Sequence, residues 1–425
     1  MTYNEALEKI HSLLTFGSRP GLDRVSELLR RLGNPQDRLK FIHVAGTNGK
    51  GSTCAVLSSV LAEAGYKTGL FVSPYILDFR ERIQINNEMI SEEELAEAVE
   101  RTFPLVERLG AEGIVITEFE YVNALEFLIH AEAGCDIVVL ETGMGGLLDC
   151  TNVIKPPLCS VITTIGLDHT AILGDTIGEI AAQKCGIFKS GSAAVTSAQE
   201  AEAMSVIEAF AREKSIPLLK SSDIELEVVT ESLRGSRFKY RGQEALFPLA
   251  GDHQLENLRT ALAALEYLRE KGLISVSDEA LLRGVSRAEN PARLELMSGE
   301  PLVLLDGAHN PNGIAALKKA LDRFLGGREM ILVTGMLADK DIDGAVELFG
   351  NIFNDVYTVP VNNPRAISPQ GLAEKYRRHG IGARAFDSVG EALQTALSRA
   401  EKENAAVIIC GSLYLAAEVR KDFVK

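Results

Sequence analysis

A short apolar run that leads straight into a glycine-rich turn with one lysine, and then into an apolar helical pattern, restricts this chain more than any other feature. Phe41-Ile42-His43-Val44 is followed by Ala45-Gly46-Thr47-Asn48-Gly49-Lys50-Gly51-Ser52-Thr53, and helical spacing continues from Cys54 to Ala64. Glycines let backbone N–H groups converge on phosphate oxygens, a helix N-terminus favours negative charge, and Lys50 adds a point charge. The spacing departs from G-x-x-x-x-G-K-[ST], because Val44 replaces the first glycine and Gly51 stands where the hydroxyl normally follows the lysine. The hydroxyl offered to Mg²⁺ is then that of Ser52 or Thr53.

Around this loop, Val- and Ile-rich runs alternate with segments of helical period, which predicts βαβ units and a mostly parallel sheet. Strands are expected at Phe41 to Val44, Thr68 to Val72, Ile137 to Leu140 and Ser160 to Ile165, with helices over Ser91 to Leu109 and Thr117 to Ala133. Short alternating stretches on either side of Arg234-Gly235 predict a small antiparallel hairpin, an appendage to that first sheet. Helical period resumes at His253 to Lys271 and Asp278 to Arg287, and Asn290-Pro291 ends it. Beyond lies a second α/β series: strands at Leu302 to Leu305, Met330 to Thr334, Val356 to Val359 and Ala406 to Cys410, and helices at Gly313 to Phe324, Pro369 to His379 and Val389 to Lys402. Two domains are therefore expected, 1–290 and 291–425, the second smaller and Rossmann-like.

Composition removes several function classes. Lys and Arg total 44 against 59 Asp and Glu, a net charge of −15 that disfavours nucleic acid and anionic membrane as partners. The longest apolar runs fall far short of the roughly 18 residues that suggest a bilayer span. The N-terminal stretch lacks a basic region ahead of an apolar one, so no export is expected. Six cysteines without a CxxC pair read as reduced thiols of a cytoplasmic protein.

Ligands of open α/β sheets gather beyond the carboxyl ends of the strands, so polar residues that directly follow an apolar run carry the most information. Glu141 follows Ile137 to Leu140 and precedes Thr142-Gly143-Met144-Gly145-Gly146, which makes it the first candidate Mg²⁺ ligand. Asp168 and His169 follow the Ser160 to Ile165 strand, and a neutral imidazole there can also take a metal. Asp306-Gly307-Ala308-His309-Asn310-Pro311 crowds acid, imidazole and amide into one turn of the second domain, which suggests a site closed between domains.

Gly46 to Ser52, Phe79-Arg80-Glu81-Arg82-Ile83, Glu141-Thr142-Gly143 with Gly145-Gly146 and Asp149, Leu167-Asp168-His169, Asp306 to Pro311 and Gly411-Ser412-Leu413-Tyr414 together resemble the folylpolyglutamate synthases, the folate branch of the Mur ligase superfamily. The resemblance spans nearly the whole chain, in order. It implies an ATP-dependent amide ligase: a folate or dihydropteroate carboxylate is phosphorylated, and the amine of L-glutamate attacks the acyl phosphate. A monomer is expected.

Carried over by position, Gly49, Lys50, Gly51 and Ser52 bind the ATP phosphates, and Asn257, Arg293 and Asp306 contact ATP. Lys50, His169, Lys184, Asp306 and His309 form the catalytic set, and Ser73, Glu141, His169 and Lys184 the metal set. Lys184 matches a lysine that the family carbamylates, turning a repelling ammonium into hard oxygen ligands for a second Mg²⁺. Thr117, Glu118, Phe119, Glu120, Leu148, Asp149 and Cys150 match the segments that contact the pterin side, where Phe119 can stack on a flat ring.

Two departures stand out: Tyr75 where the family usually has His, and Leu147 where many members carry Arg. Loss of that Arg leaves open whether dihydropteroate as well as polyglutamylated folate is accepted. Another Mur-type ligase is disfavoured by Phe79 to Ile83 and by Gly51-Ser52. A protein using ATP only as a switch is disfavoured by the full set from Lys50 through Glu141 and His169 to Asp306. A polyanionic product and a net charge of −15 predict a local basic patch, with Arg80, Arg82 and Arg365 as candidates.

Overall fold

The computed structural model describes residues 1–16 and 20–424. Its first sheet has eight strands: β1 (Phe41–Ala45), β2 (Thr68–Phe71), β3 (Ile83–Ile85), β4 (Glu88–Met89), β5 (Ile137–Glu141), β6 (Cys159–Ile162), β7 (Ala194–Thr196) and β8 (Leu218–Lys220), in the order β4-β3-β2-β5-β1-β6-β7-β8. All pairings from β2 to β8 are parallel, while β3 and β4 close one edge antiparallel. Every residue of β1 and β5 is buried, as strands covered on both faces must be. Because the chain runs from β1 to β2 on one side and later to β6 on the other, the carboxyl end of β1 lies at a switch point, where α/β sheets bind ligands.

Local chemistry fixes the helices around it. Ser91 and Thr117 each cap a helix reciprocally with the glutamate three residues on, starting Glu92–Ala111 and Glu118–Ala133 where the sequence predicts them. The helix Lys50–Glu63, after the glycine-rich turn, is buried from Ser52 to Leu61, which its nearly uniform apolarity requires. Phe127 of Glu118–Ala133 is fully buried and meets Phe41 of β1 edge-on at 5.5 Å.

A second sheet, β9 (Glu227–Ser232), β10 (Gly235–Tyr240) and β11 (Gln243–Phe247), is antiparallel and has three strands rather than the two expected. A third comprises β12 (Glu295–Gly299), β13 (Leu302–Leu305), β14 (Met330–Thr334), β15 (Asp355–Thr358), β16 (Ala383–Ala385) and β17 (Ala406–Cys410), in the order β12-β13-β17-β14-β15-β16. It is parallel except for β12.

The chain divides into two units, Met1–Leu226 with Glu256–Ala288, and Glu227–Leu255 with Glu289–Lys425. The later division falls beside Asn290-Pro291. The small antiparallel sheet, expected beside the first sheet, groups with the second unit instead. Leu233 packs on that unit's core, and Arg323 of the helix Pro311–Leu325 pairs with Glu231 of β9 and with Asp252. Among the described residues no helix is long and apolar enough to cross a membrane.

Candidate active site

The glycine-rich turn of the first unit is held by the loop that follows β6. Thr47 and Asn48 both donate their N–H to the Thr164 carbonyl, at 2.9 and 3.2 Å, and the Thr163 hydroxyl donates to the Asn48 carbonyl at 2.8 Å. A Cβ on Gly46 would lie 1.8 Å from the Thr163 hydroxyl oxygen, so only glycine permits this approach. Gly49 has φ +88° and caps the helix Lys50–Glu63, and Asn257 packs directly against it.

Acid, lysine and hydroxyl groups meet at this turn. Lys50 Nζ is 3.8 Å from Glu141 Oε1, and the buried Glu141 carboxylate accepts a hydrogen bond from the Ser73 N–H at 3.1 Å. Ser52 is buried in the first turn of the helix. Lys184, 3% exposed, donates from Nζ to the Gly46 carbonyl at 2.8 Å, beneath the turn. Burial, seconded by the Lys50 charge, pushes the Lys184 ammonium down to about 7, against the pull of Asp168 and Asp149. His169 is exposed, at φ +51°, at the head of the short helix Thr170–Leu173.

The seven pterin-side residues share one region but differ in exposure. Thr117, Glu120, Asp149 and Cys150 are buried. Thr117 and Glu120 form the helix cap, Glu120 also pairs with Arg24 at 2.8 Å, and Glu118 meets His11 at 3.2 Å. Asp149 accepts from the N–H groups of Met144 and Thr151 and from the Thr151 hydroxyl. The half-buried Phe119 ring lies against Gly143, where a Cβ would approach it to 2.3 Å, and Leu148 is exposed.

In the second unit, Asp306 follows β13 and accepts from Leu294 N–H and Ala308 N–H, each at 2.7 Å. Arg293 stands between Ala292 and Leu294, both with φ near +50° (+54° and +47°), a conformation held by Asp306 and by Gly307 N–H donating to the Ala292 carbonyl. His309 Nδ1 lies 2.8 Å from the Gly307 carbonyl, so Nδ1 carries a proton and donates it there. Asp306, Arg293 and His309 thus gather on one loop cluster, as Lys50, Ser73, Glu141 and Lys184 do in the first unit. Of the candidate basic residues, Arg80 pairs with Asp78, Arg365 with Asp339, and Arg82 stacks on Tyr75 and Phe79.

Sequence reasoning missed Thr163 and Gln199. Gln199 donates to the Thr163 carbonyl and accepts from Ile165 N–H, both at 3.0 Å, fixing the loop that holds the turn. Hydroxyls directly after the Cys159–Ile162 run were the available signal for Thr163; nothing local marks Gln199.

Residues 44–265 match the Mur ligase middle domain, and residues 292–413 the Mur ligase glutamate ligase domain. The dihydrofolate synthase/folylpolyglutamate synthase of Bacillus subtilis is 38% identical over 427 residues, covering 99% of this chain and 98% of that one. Among solved structures, Mycobacterium tuberculosis folylpolyglutamate synthase complexed with ADP and AMPPCP superposes with TM-score 0.90 at 30% identity, covering 100% of this chain and 99% of the other. E. coli FolC in complex with DHPP and ADP superposes with TM-score 0.86 at 31% identity, covering 99% and 97%.

Proposed function

Because the chain belongs to the folylpolyglutamate synthase and dihydrofolate synthase family of the Mur ligase superfamily, we propose a catalytic route in which its own residues carry ATP-dependent ligation of L-glutamate to folate. The observation that carries this route is the pairing of Lys50 with the buried Glu141 carboxylate beside a glycine-rich turn at the end of β1. A carboxylate is a poor acyl donor until one of its oxygens becomes a leaving group. Transfer of the γ-phosphoryl group of ATP to it supplies that, and depends on positioning and charge neutralisation.

In our reading, the backbone of Gly49, Lys50, Gly51 and Ser52 cradles the phosphates and the Lys50 ammonium faces the transferring group. Asn257, Arg293 and Asp306 are assigned to the nucleotide, and His309 to the catalytic set with Lys50, His169, Lys184 and Asp306. The folate carboxylate attacks the γ-phosphorus and ADP leaves; the glutamate amine then attacks the acyl carbon, and phosphate departs carrying one former carboxylate oxygen. Phe119 and Leu148 offer the surface for the flat ring, with Thr117, Glu118, Glu120, Asp149 and Cys150 shaping the wall behind.

The donor set fits Mg²⁺. One carboxylate, Glu141, with the hydroxyls of Ser52 and Ser73, suits a hard ion that keeps several waters and leans on phosphate oxygens. Among the described residues no three His, Cys, Asp or Glu side chains converge, so a dedicated protein cage is not the design. When bound, the ion neutralises phosphate charge; His169 is a further candidate ligand. Lys184, buried and shifted toward the neutral amine, is the form that reacts with CO₂, and we assign it as the carbamylation site. ¹³C-bicarbonate should give a carbamate resonance that Lys184→Met abolishes; an unchanged resonance in the variant removes the assignment.

Six buried, unpaired cysteines agree with the cytoplasm, and we take the working form as a monomer. The test is ADP release by purified protein with Mg·ATP and L-glutamate, comparing reduced folate with dihydropteroate. Turnover with reduced folate alone indicates a dedicated polyglutamate synthase. Turnover with both indicates a bifunctional enzyme despite Leu147, and turnover with neither contradicts the proposal.

A further inference from the structure

His43 lies at the centre of β1, fully buried, the single polar side chain of that five-residue strand. Its Nε2 is 2.9 Å from the Thr151 hydroxyl oxygen, and that hydroxyl lies 2.6 Å from Asp149 Oδ1. Burial pushes the Asp149 carboxyl up, but the N–H groups and the hydroxyl aimed at it favour the ionised form; a carboxylate can only accept, so the single hydroxyl proton of Thr151 goes to Asp149, and Thr151 must accept from His43. The direction of the chain is thereby set: His43 Nε2–H to Thr151, Thr151 O–H to Asp149. His43 Nδ1 has no hydrogen-bond partner among the described residues, so a proton placed there would be a buried donor without an acceptor.

Asp149 does not look outward. Besides the Thr151 hydroxyl, it accepts Thr151 N–H at 3.0 Å on the same oxygen and Met144 N–H at 2.8 Å on the other. A carboxylate offers about four acceptor sites, and at least three of these are occupied by the chain itself. The effect is to staple the turn after β5 onto the segment Asp149 to Asn152. Asn152 continues the staple: its side-chain amide donates to the Leu147 and Gly186 carbonyls at 3.1 and 3.0 Å, while Leu147 N–H donates to Gln183 at 2.7 Å. Gln183 and Gly186 flank Lys184, and the stapled turn begins one residue after Glu141. Lys189 fastens the same segment from below, donating to the Asn152 carbonyl at 2.8 Å and to that of Ile154.

We infer that His43 is a positioning residue: through Thr151 and Asp149 it fixes the spacing between the Glu141 turn and the Lys184 helix. Its side chain is fully buried and open to no ligand. The inference rests on the reading that Glu141 and Lys184 serve the ligation, and it adds a buried support that no motif marks. Burial and the nearby Lys189 charge hold the imidazole neutral, which keeps the chain's direction single-valued.

The experiment pairs Thr151→Val, which keeps shape but removes the hydroxyl, with Thr151→Ser, which restores it, alongside ¹⁵N spectroscopy of the His43 ring in the wild-type chain. Displacing a preorganised turn by part of an ångström should lower kcat for glutamate-dependent ADP release about tenfold in T151V, with the KM for ATP within about twofold, and T151S should recover most of it. The ring should show a protonated Nε2 and a bare Nδ1. A folded T151V, with unchanged circular dichroism, that keeps wild-type kcat would overturn the inference. So would an Nδ1-protonated or doubly protonated ring, a result that stands even where the variant does not fold. Absence of glutamate-dependent turnover in the wild type would instead mark failure of the functional reading, and the ring spectrum would still decide the hydrogen-bond chain.

Discussion

Gly49 has two separate reasons to be glycine. Its φ of +88° is left-handed, and a Cβ would come within 2.2 Å of Asn257 Oδ1. Gly49→Ala should therefore displace either the turn or Asn257 and raise the KM for ATP by about tenfold or more, which an ATP titration measures. A second prediction concerns His43. Burial first, and then the Lys189 charge, lower its pKa from 6.5 to about 3 in the folded chain. Between those values the unfolded chain binds the extra proton, so stability is full above about 6.5 and falls as the pH drops toward 3, at up to about 1.4 kcal/mol per pH unit. His43→Gln should flatten that limb of a stability-against-pH curve; an unchanged slope would show that the ring titrates normally. Glu141 was legible in the sequence because it follows an apolar run, whereas His43 was read only as part of a strand, since its role depends on Thr151, more than a hundred positions away.

Elements with strong local signals were the most legible. The helices Glu92–Ala111 and Glu118–Ala133 start at the predicted Ser91 and Thr117 because each N-terminus is written in a capping box. Short strands such as β4, β7, β8 and β16 were not legible, because two or three residues carry no period and pairing alone defines them. The small antiparallel sheet was readable as a hairpin but not in its placement, which Leu233 and the Arg323 ion pairs decide through tertiary contact. The Glu118–Ala133 helix gives the prediction at this scale. Phe127 is fully buried between it and β1, so Phe127→Ala should destabilise the first unit by about 3–5 kcal/mol in denaturant unfolding. The phosphate turn rests on the opposite end of β1, and the KM for ATP of the folded variant should stay close to wild type.

At the scale of the whole molecule, a chain of net charge −15 handles an anionic nucleotide, an anionic amino acid and an anionic acceptor. That demands local cation placement rather than a positive surface, and in the proposed reading Lys50 and Arg293 supply it. The order of motifs along the chain made the two α/β domains readable, because each phosphate- or acid-bearing turn directly follows a strand. What the order did not reveal is the support behind each turn, from Thr163 and Gln199 to the His43 chain, since those contacts join strands distant in sequence. The central claim is that the folate carboxylate is activated by direct phosphorylation. Turnover of reduced folate carrying ¹⁸O in its side-chain carboxylates, followed by mass analysis of the released phosphate, tests this most directly. The account predicts one ¹⁸O transferred to phosphate for the first glutamate added to each labelled folate, and phosphate free of label in that first addition would contradict it.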